Sequence, residues 1–375
     1  MELNKNAILT IELTDRCNFN CRMCDHAGGK SPHNSEGGFM DKEIFSKILK
    51  DLEEFPVTLL TPYWVGESLL HPEFDEMMEE LFEKNKDNRL FRHMNLNTNA
   101  ALLTPETTDV LLDAAVGEYN KDTFVRIHFS LDAILPATYR KIKGESNLEQ
   151  TYENVRYFLK KYSEMKMEFP KFNIALIVMK ENRYEVSKFV NYWNRYLEEL
   201  GLVAKTTYDW PEGVENGIYI RRLDDSCNQV EAEEMHKEVA RELGLIKEIK
   251  KEERIIKTNA VLKDKHNKIK HMRRPCSGPF KTPIIHWNGL VTVCCFDVKL
   301  QHAAGNIKDK TLKEIWFDER IHKLRMAHIT GNLRDFPACS GCCNLNTPML
   351  EDEEILSYLK FMGEKEELWL NRIKK

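Results

Sequence analysis

Three cysteines, Cys17, Cys21 and Cys24, stand in a Cys-x3-Cys-x2-Cys pattern near the start of the chain. Thiolates are soft ligands, and three so closely spaced can wrap one metal centre. A [4Fe–4S] cubane has four irons, so three thiolates leave one iron open to an outside ligand. A structural zinc site wants four closed ligands. No fourth Cys or His has finger-like spacing here, His26 being only two residues past Cys24. The pattern favours iron–sulfur over zinc, and either over three unrelated buried thiols. Six further cysteines lie between Cys276 and Cys343. Cys276-x17-Cys294 and Cys339-x2-Cys342 together can close a four-thiolate site, with zinc as the physical alternative. Cys295 and Cys343 adjoin two of these ligands. Neighbours on a strand point to opposite faces, so both members of a pair are not expected on one cluster. Cys227 stands alone.

The elements that must position these residues alternate along the first 210 residues. Ala7–Leu13 reads as a strand that stops at the first cysteines. Asp41–Phe55 has helical spacing, with Ile44, Ile48, Leu49 and Leu52 on one face. Strand-like segments recur at Val57–Val65, Arg92–Leu96, Phe124–Leu131, Phe172–Val178 and Leu202–Thr207. Between them lie helical segments at Pro72–Lys84, Thr104–Val116, Asn147–Lys166 and Tyr184–Leu200, with Thr104 as a cap and Pro105 at the first helical position. This alternation predicts an α/β fold with a parallel sheet. Six units predict a partial (β/α)6 barrel, whose strand C-termini share one face.

After residue 210 the pattern changes. Trp210–Asp225 reads as loop, Gln229–Leu243 as a charged helix, and Lys247–Arg274 as a linker or exposed helix. Ile284–Trp287, Asn288-Gly289 and Leu290–Cys294 read as a hairpin, the Asn-Gly pair predicting a type I′ turn. Thr311–Arg325 is amphipathic, Pro337–Asn346 irregular, and Asp352–Arg372 a terminal helix. The expected domains are a barrel over 1–210, a bridge over 211–274, a small Cys-rich domain over 275–347 and a helix over 348–375.

Composition narrows the classes. The chain has 375 residues, 42% hydrophobic, which is enough for a sizeable core. Its 55 basic and 60 acidic residues give a net charge of −5, against a general nucleic-acid coat. No 18-residue apolar run predicts a membrane span. The opening residues have neither a secretory apolar core nor a transit pattern, so a cytoplasmic location is expected. Ten cysteines are too few for a disulfide scaffold, and in a reducing compartment clustered thiols read as metal or catalytic sites. No Gly-x4-Gly-Lys-Ser/Thr loop points to ATP.

The segment TDRCNFNCRMC resembles the signature of radical S-adenosylmethionine enzymes, a three-cysteine loop after the first strand of a partial barrel. The resemblance implies that the open iron chelates the amino and carboxylate groups of S-adenosylmethionine. Reductive cleavage then gives methionine and a 5′-deoxyadenosyl radical that abstracts a substrate hydrogen. An electron donor such as flavodoxin or ferredoxin is implied. Met23 stands where the family usually has an aromatic residue. Trp64-Val65-Gly66-Glu67 resembles the family's Gly-Gly-Glu segment, with Glu67 accepting from the methionine ammonium. Asn97-Thr98-Asn99 is similar to its Thr-Asn-Gly, and Ser130-Leu131-Asp132 to its Ser-x-Asp. Arg140 is a candidate partner of the methionine carboxylate, with a surface role as the alternative. Asn182 is a candidate ribose contact or a helix cap.

The later cysteines resemble the auxiliary-cluster extension of that family, whose full form is called SPASM and whose shortened form is called twitch. Gly305-Asn306-Ile307 and the Leu312–Trp316 helix start share the likeness. It implies a second [4Fe–4S] cluster on Cys276, Cys294, Cys339 and Cys342, able to take an electron from a substrate radical. Oxidation of a small-molecule or carrier-borne substrate is the leading expectation. With Cys17 so near the start, a leader-binding domain before the barrel is not expected, which tilts the reading towards a small or carrier-borne substrate. A peptide-modifying maturase, or an epimerase with Cys227 returning the hydrogen atom, is the alternative. Cys227 as a small buried hydrophobe is the plainer reading. Trp64, Trp210 and Trp287 could line a substrate cavity or pack the core. The basic run from Lys263 to Arg274 could greet an anion, but such runs are usually solvated. A non-catalytic iron–sulfur or zinc sensor is the rival from another class.

Overall fold

The computed structural model describes residues 7–24, 37–116, 123–144, 147–166, 170–208, 215–223, 229–246, 273–342 and 349–373. Cys227, Cys343, His26, Trp210 and most of the Lys247–Arg274 segment lie outside the described residues.

Among the described residues ten strands form one sheet: β1 Ile8–Ile11, β2 Val57–Thr61, β3 Phe91–Thr98, β4 Phe124–Ser130, β5 Lys171–Val178, β6 Lys205–Thr207, β7 Gly217–Arg222, β8 Ile284–Ile285, β9 Leu290–Thr292 and β10 Gly305–Asn306. Their order is β10-β9-β8-β1-β2-β3-β4-β5-β7-β6. Every pairing from β8 through β1 to β6 is parallel, whereas β8–β9 and β9–β10 are antiparallel. The α/β architecture with a parallel sheet is therefore as the alternation predicted.

The helices are α1 Lys42–Glu54, α2 Phe74–Asn88, α3 Pro105–Val116, α4 Pro136–Lys143, α5 Leu148–Met165, α6 Val186–Glu199, α7 Gln229–Glu242, α8 Gly278–Lys281, α9 Leu312–Trp316, α10 Glu319–Thr330, α11 Pro337–Ser340, α12 Asp352–Met362 and α13 Glu367–Ile373. Each barrel helix buries one stripe. On α1 this is Ile44, Phe45, Ile48, Leu49 and Leu52. Thr104 Oγ1 accepts from the Thr107 amide at 3.2 Å and caps α3. Asn147 caps α5 by accepting from the Gln150 amide. Among the described residues no helix is long and apolar enough to cross a membrane.

Three expectations are corrected. The sixth strand read at Leu202–Thr207 is the short β6, at the sheet edge, and it is β7 that pairs with β5. The Trp210–Asp225 stretch read as loop thus holds a buried strand, in which Ile218 and Ile220 alternate with Tyr219 and Arg221. The 288–289 turn is not type I′, because Gly289 has a φ of 88° while Asn288 is not among the positive-φ residues. The Gly289 amide donates to the His286 carbonyl at 2.8 Å and the His286 amide to the Leu290 carbonyl at 2.8 Å. That is a tight turn followed by a left-handed glycine, the bulged three-residue form. Lastly, the amphipathic segment after Thr311 splits into α9 and α10, because Asp318 starts a second helix by accepting from the Arg320 amide.

The main core lies between the sheet and its helices, with outward-facing Met94, Leu96, Val125, Ile127, Phe129, Phe172, Ile174 and Leu176 all buried. It runs on through Ile285, Val291, Ile307 and Trp316 of the hairpin region. The barrel's inner face is polar by contrast.

Candidate functional site

The three-cysteine loop leaves β1 at the end where the parallel strands terminate. Two neighbours hold it. On one side, the Glu67 amide donates to the Arg16 carbonyl at 2.8 Å. A Cβ at Gly66 would lie 2.1 Å from the Thr14 carbonyl oxygen and 2.6 Å from that of Arg16. Only glycine lets the segment after β2 approach the loop so closely. On the other side, the Asn20 and Arg22 amides donate to the Lys143 and Ile142 carbonyls at the end of α4, at 3.2 and 2.8 Å. Arg22 also pairs with Glu181 at 2.7 Å. Met23 is half-buried against the core.

Burial pushes the Cys17 thiol up to about 12 and the Cys21 thiol to about 11. The other two cysteines add to the rise at Cys17, which brings the three thiols into one electrostatic neighbourhood. Among the described residues no three such groups converge on one point as the ligands of a single ion would. A [4Fe–4S] cluster would take one thiolate on each of three irons rather than three on one atom, and three soft donors on one loop would suit it. Cluster binding must displace their protons.

Glu67 is buried and joins the ends of β2 and β3. Its Oε1 accepts from Thr98 Oγ1 at 2.8 Å and the Leu69 amide at 3.2 Å, and its Oε2 from the Asn99 amide at 2.8 Å. Burial holds its pKa above the usual carboxylate range in spite of these bonds. Three donors leave one acceptor position for a further partner. The Asn99 side chain donates to Asn18 Oδ1 at 2.8 Å, tying β3 to the cysteine loop. Asn97 faces the barrel interior, and its buried Oδ1 has no hydrogen-bond partner.

Asp132, at a φ of 65°, is wholly buried. Its Oδ1 accepts from the Ile177 amide at 2.8 Å, and Lys143 Nζ lies 2.5 Å from its Oδ2. Lys143 also donates to the Ser130 carbonyl at 2.9 Å. Arg140 is exposed on α4, so the cation beside Asp132 is Lys143. The Asn182 amide group donates to the Asp132 and Ile177 carbonyls at 2.7 and 2.8 Å and accepts from the Met179 amide at 2.8 Å. It caps no helix. These contacts make Asp132, Lys143 and Asn182 the brace on which the cysteine loop rests.

The second cysteine set gathers around the hairpin. Cys276 bridges to Met349 just before α8, Cys294 and Cys295 follow β9, and Cys339 lies in α11. The Cys342 amide donates to the Cys339 carbonyl at 3.2 Å. Burial is the largest cause raising the thiols of Cys276, Cys294, Cys295 and Cys339, the last to about 12. Repulsion from neighbouring cysteines of the set adds to each rise, Cys342 being the one that acts on Cys276. The donor set is rich enough for a four-thiolate cluster.

Sequence reasoning missed Lys143, His302, Glu12 and His286. Lys143 reads as one more basic residue at a helix end. His302 Nε2 lies 3.3 Å from Cys339 Sγ, which no spacing rule links. Glu12 Oε2 and His286 Nδ1 meet at 2.9 Å, both buried, where β1 pairs with β8. Trp64 packs edge-on against His286 with centroids 4.7 Å apart, and its Nε1 donates to the Cys295 carbonyl at 3.3 Å. The segment that leads to Gly66 and Glu67 is thereby fastened to the second cysteine set.

Comparison with known proteins follows the same division. Residues 11–191 match the Radical SAM superfamily, and residues 276–343 match SPASM, an iron–sulfur cluster-binding domain. The chain is 27% identical over 352 residues to the tungsten-containing aldehyde ferredoxin oxidoreductase cofactor-modifying protein of Pyrococcus furiosus, covering 89% of this chain and 86% of that protein. It is 29% identical over 147 residues to a probable GTP 3′,8-cyclase of Methanothermobacter thermautotrophicus, covering 39% of this chain and 42% of the cyclase. The chain thus spans less than half of the cyclase's length. Among solved structures, native anSMEcpe with bound AdoMet superposes with a TM-score of 0.55 at 16% identity, over 95% of this chain and 97% of that one. SuiB of Streptococcus suis bound to S-adenosylmethionine gives 0.54 at 14% identity, over 96% and 75%. These two likenesses concern the fold. The chain belongs to the radical S-adenosylmethionine superfamily and carries a SPASM domain, so a [4Fe–4S] cluster, S-adenosylmethionine and auxiliary iron–sulfur cofactors come with it.

Proposed function

We propose that the protein carries out a two-electron oxidation of a small molecule, begun by hydrogen abstraction. When bound, S-adenosylmethionine and the first cluster supply a 5′-deoxyadenosyl radical, and an auxiliary cluster supplies a sink for the substrate's second electron. Cys17, Cys21 and Cys24 hold the first cluster in this reading. Glu67 offers its remaining acceptor position to the methionine ammonium. Gly66 and Asn99 keep that carboxylate registered against the loop, and the Asp132–Lys143 pair braces the loop from the other side. Asn97, Ser130 and Asn182 border the cofactor, Asn182 by fixing the β4 and β5 ends rather than by direct contact. Cys276, Cys294, Cys339 and Cys342 hold one auxiliary [4Fe–4S] cluster. The domain division proposed for this machinery extends the barrel past 210 to include β7.

The observation that carries the reading is the junction at Trp64. One side chain links the Gly66–Glu67 segment, the Glu12–His286 pair and the Cys295 carbonyl. A substrate in the barrel mouth would stand within reach of both cysteine regions. The cofactor-modifying relative, matched over 86% of its length, supports a small-molecule substrate. Flavodoxin or ferredoxin is the proposed source of the first electron. A peptide-modifying role remains the second reading, supported by solved neighbours bound to peptides. The test is anaerobic reconstitution, reduction with S-adenosylmethionine, and chromatographic detection of 5′-deoxyadenosine. A non-catalytic sensor would give none.

A further inference from the structure

The inner face of this barrel departs from the bulky apolar layers that fill a closed (β/α)8 interior. Strand register sets Asn97 of β3 beside His128 of β4, His128 beside Asn173 of β5, and Asn173 beside Gly217 of β7. Arg126 lies two positions from His128 towards the N-terminal end of β4. Arg221 lies four positions from Gly217 towards the C-terminal end of β7, in register with Ile177. Alternation along the strands gives all these side chains the same face.

Two observations point to a ligand. Asn173 is wholly buried, and neither its Oδ1 nor its Nδ2 has a hydrogen-bond partner; the buried Asn97 Oδ1 has none either. Buried polar atoms left unpaired are few in native proteins, and each asks for an explanation. The second observation is charge. The His128 imidazole is pushed down to about 3 by burial, then by Arg221, then by Arg126. Both guanidinium groups therefore act on one ring, from opposite ends of the row. Arg221 also favours the ionised form of Tyr63, at the end of β2, and Glu215 faces Arg126. Glu12 is held by His286 on the β1–β8 wall.

We propose that this row is the substrate-binding site for a polar, anionic small molecule. Arg221, with Arg126 behind it, takes the phosphate or carboxylate group, and the Asn173 amide hydrogen-bonds to the polar edge. A planar guanidinium suits either oxyanion through paired N–H bonds. The assignment rests on the small-molecule reading above and names its chemical class.

The experiment titrates reconstituted holoenzyme, with S-adenosylmethionine bound, by calorimetry with inorganic pyrophosphate and separately with malonate. One of the two anions should bind saturably, and which one binds separates phosphate from carboxylate. Arg221→Met should weaken that binding by about tenfold or more, the value of a charged hydrogen-bonded contact. Arg126→Met carries the same direction and serves if Arg221→Met fails to fold. Asn173→Leu should weaken binding while raising the melting midpoint of the ligand-free protein, since it removes unpaired buried atoms. No saturable binding of either anion, binding unchanged in both arginine variants, or a lowered midpoint in Asn173→Leu overturns the assignment. The titration needs no turnover, so its failure is distinct from a failure to form 5′-deoxyadenosine.

Discussion

Lys143 Nζ lies 2.5 Å from Asp132 Oδ2, with both side chains almost wholly buried, at the foot of the loop that carries Cys21. Burial works against the lysine's charge, but Asp132, then Cys21 and Tyr139, outweigh it and raise its pKa. Removing one partner of such a pair strands the other charge. Lys143→Met should cost about 3–5 kcal/mol in denaturant unfolding, and Lys143→Met with Asp132→Asn distinctly less. The raised pKa sets the sign with pH. The pair's contribution is complete below the lysine's ordinary pKa and is lost as pH rises above it.

Gly66 has no room for a methyl group. Because the atoms in its way are backbone carbonyls of Thr14 and Arg16, the loop itself must move. Gly66→Ala should lower iron bound at the first site and abolish 5′-deoxyadenosine, while the iron of the hairpin region remains. Iron analysis beside chromatography checks this. Full iron content with normal cleavage would contradict the role given to the close approach.

His128 should make the protein acid-sensitive. Unfolded, its imidazole takes a proton below about 6.5, whereas the folded site resists protonation until about 3. The unfolded state therefore binds more protons in that window, and stability falls as pH falls. Between neutral pH and pH 5 the loss through this group is about 2 kcal/mol. His128→Gln should remove that part of the pH dependence, measured as the difference between wild-type and variant unfolding at pH 7 and 5.

Much of the fold was legible because outward-facing residues of β1 to β5 are apolar and the helices between them carry clean stripes. β7 was not. Tyr219, Arg221 and Arg222 in it face a polar interior or the surface, so only Ile218 and Ile220 carry the strand signal. The polarity that serves a binding site thus hides the strand that supplies it. The cysteine spacings exposed both metal regions. Lys143 and the Glu12–His286 pair were hidden because each joins residues that are unremarkable in sequence and meet only through the sheet order.

The auxiliary set gives a sorting test. Replacing Cys294 or Cys339 by alanine should lower iron from about eight to about four per chain. Cys295→Ala should leave it near eight, since Cys295 adjoins Cys294 and the proposed ligands are Cys276, Cys294, Cys339 and Cys342. Equal losses in all three variants would redraw the ligand set.

The most direct test of the central claim is anaerobic reduction of the reconstituted wild-type chain with S-adenosylmethionine. The account predicts 5′-deoxyadenosine from wild type and none from Cys21→Ala. Absence of 5′-deoxyadenosine from fully iron-loaded wild type, or its persistence in Cys21→Ala, would contradict it.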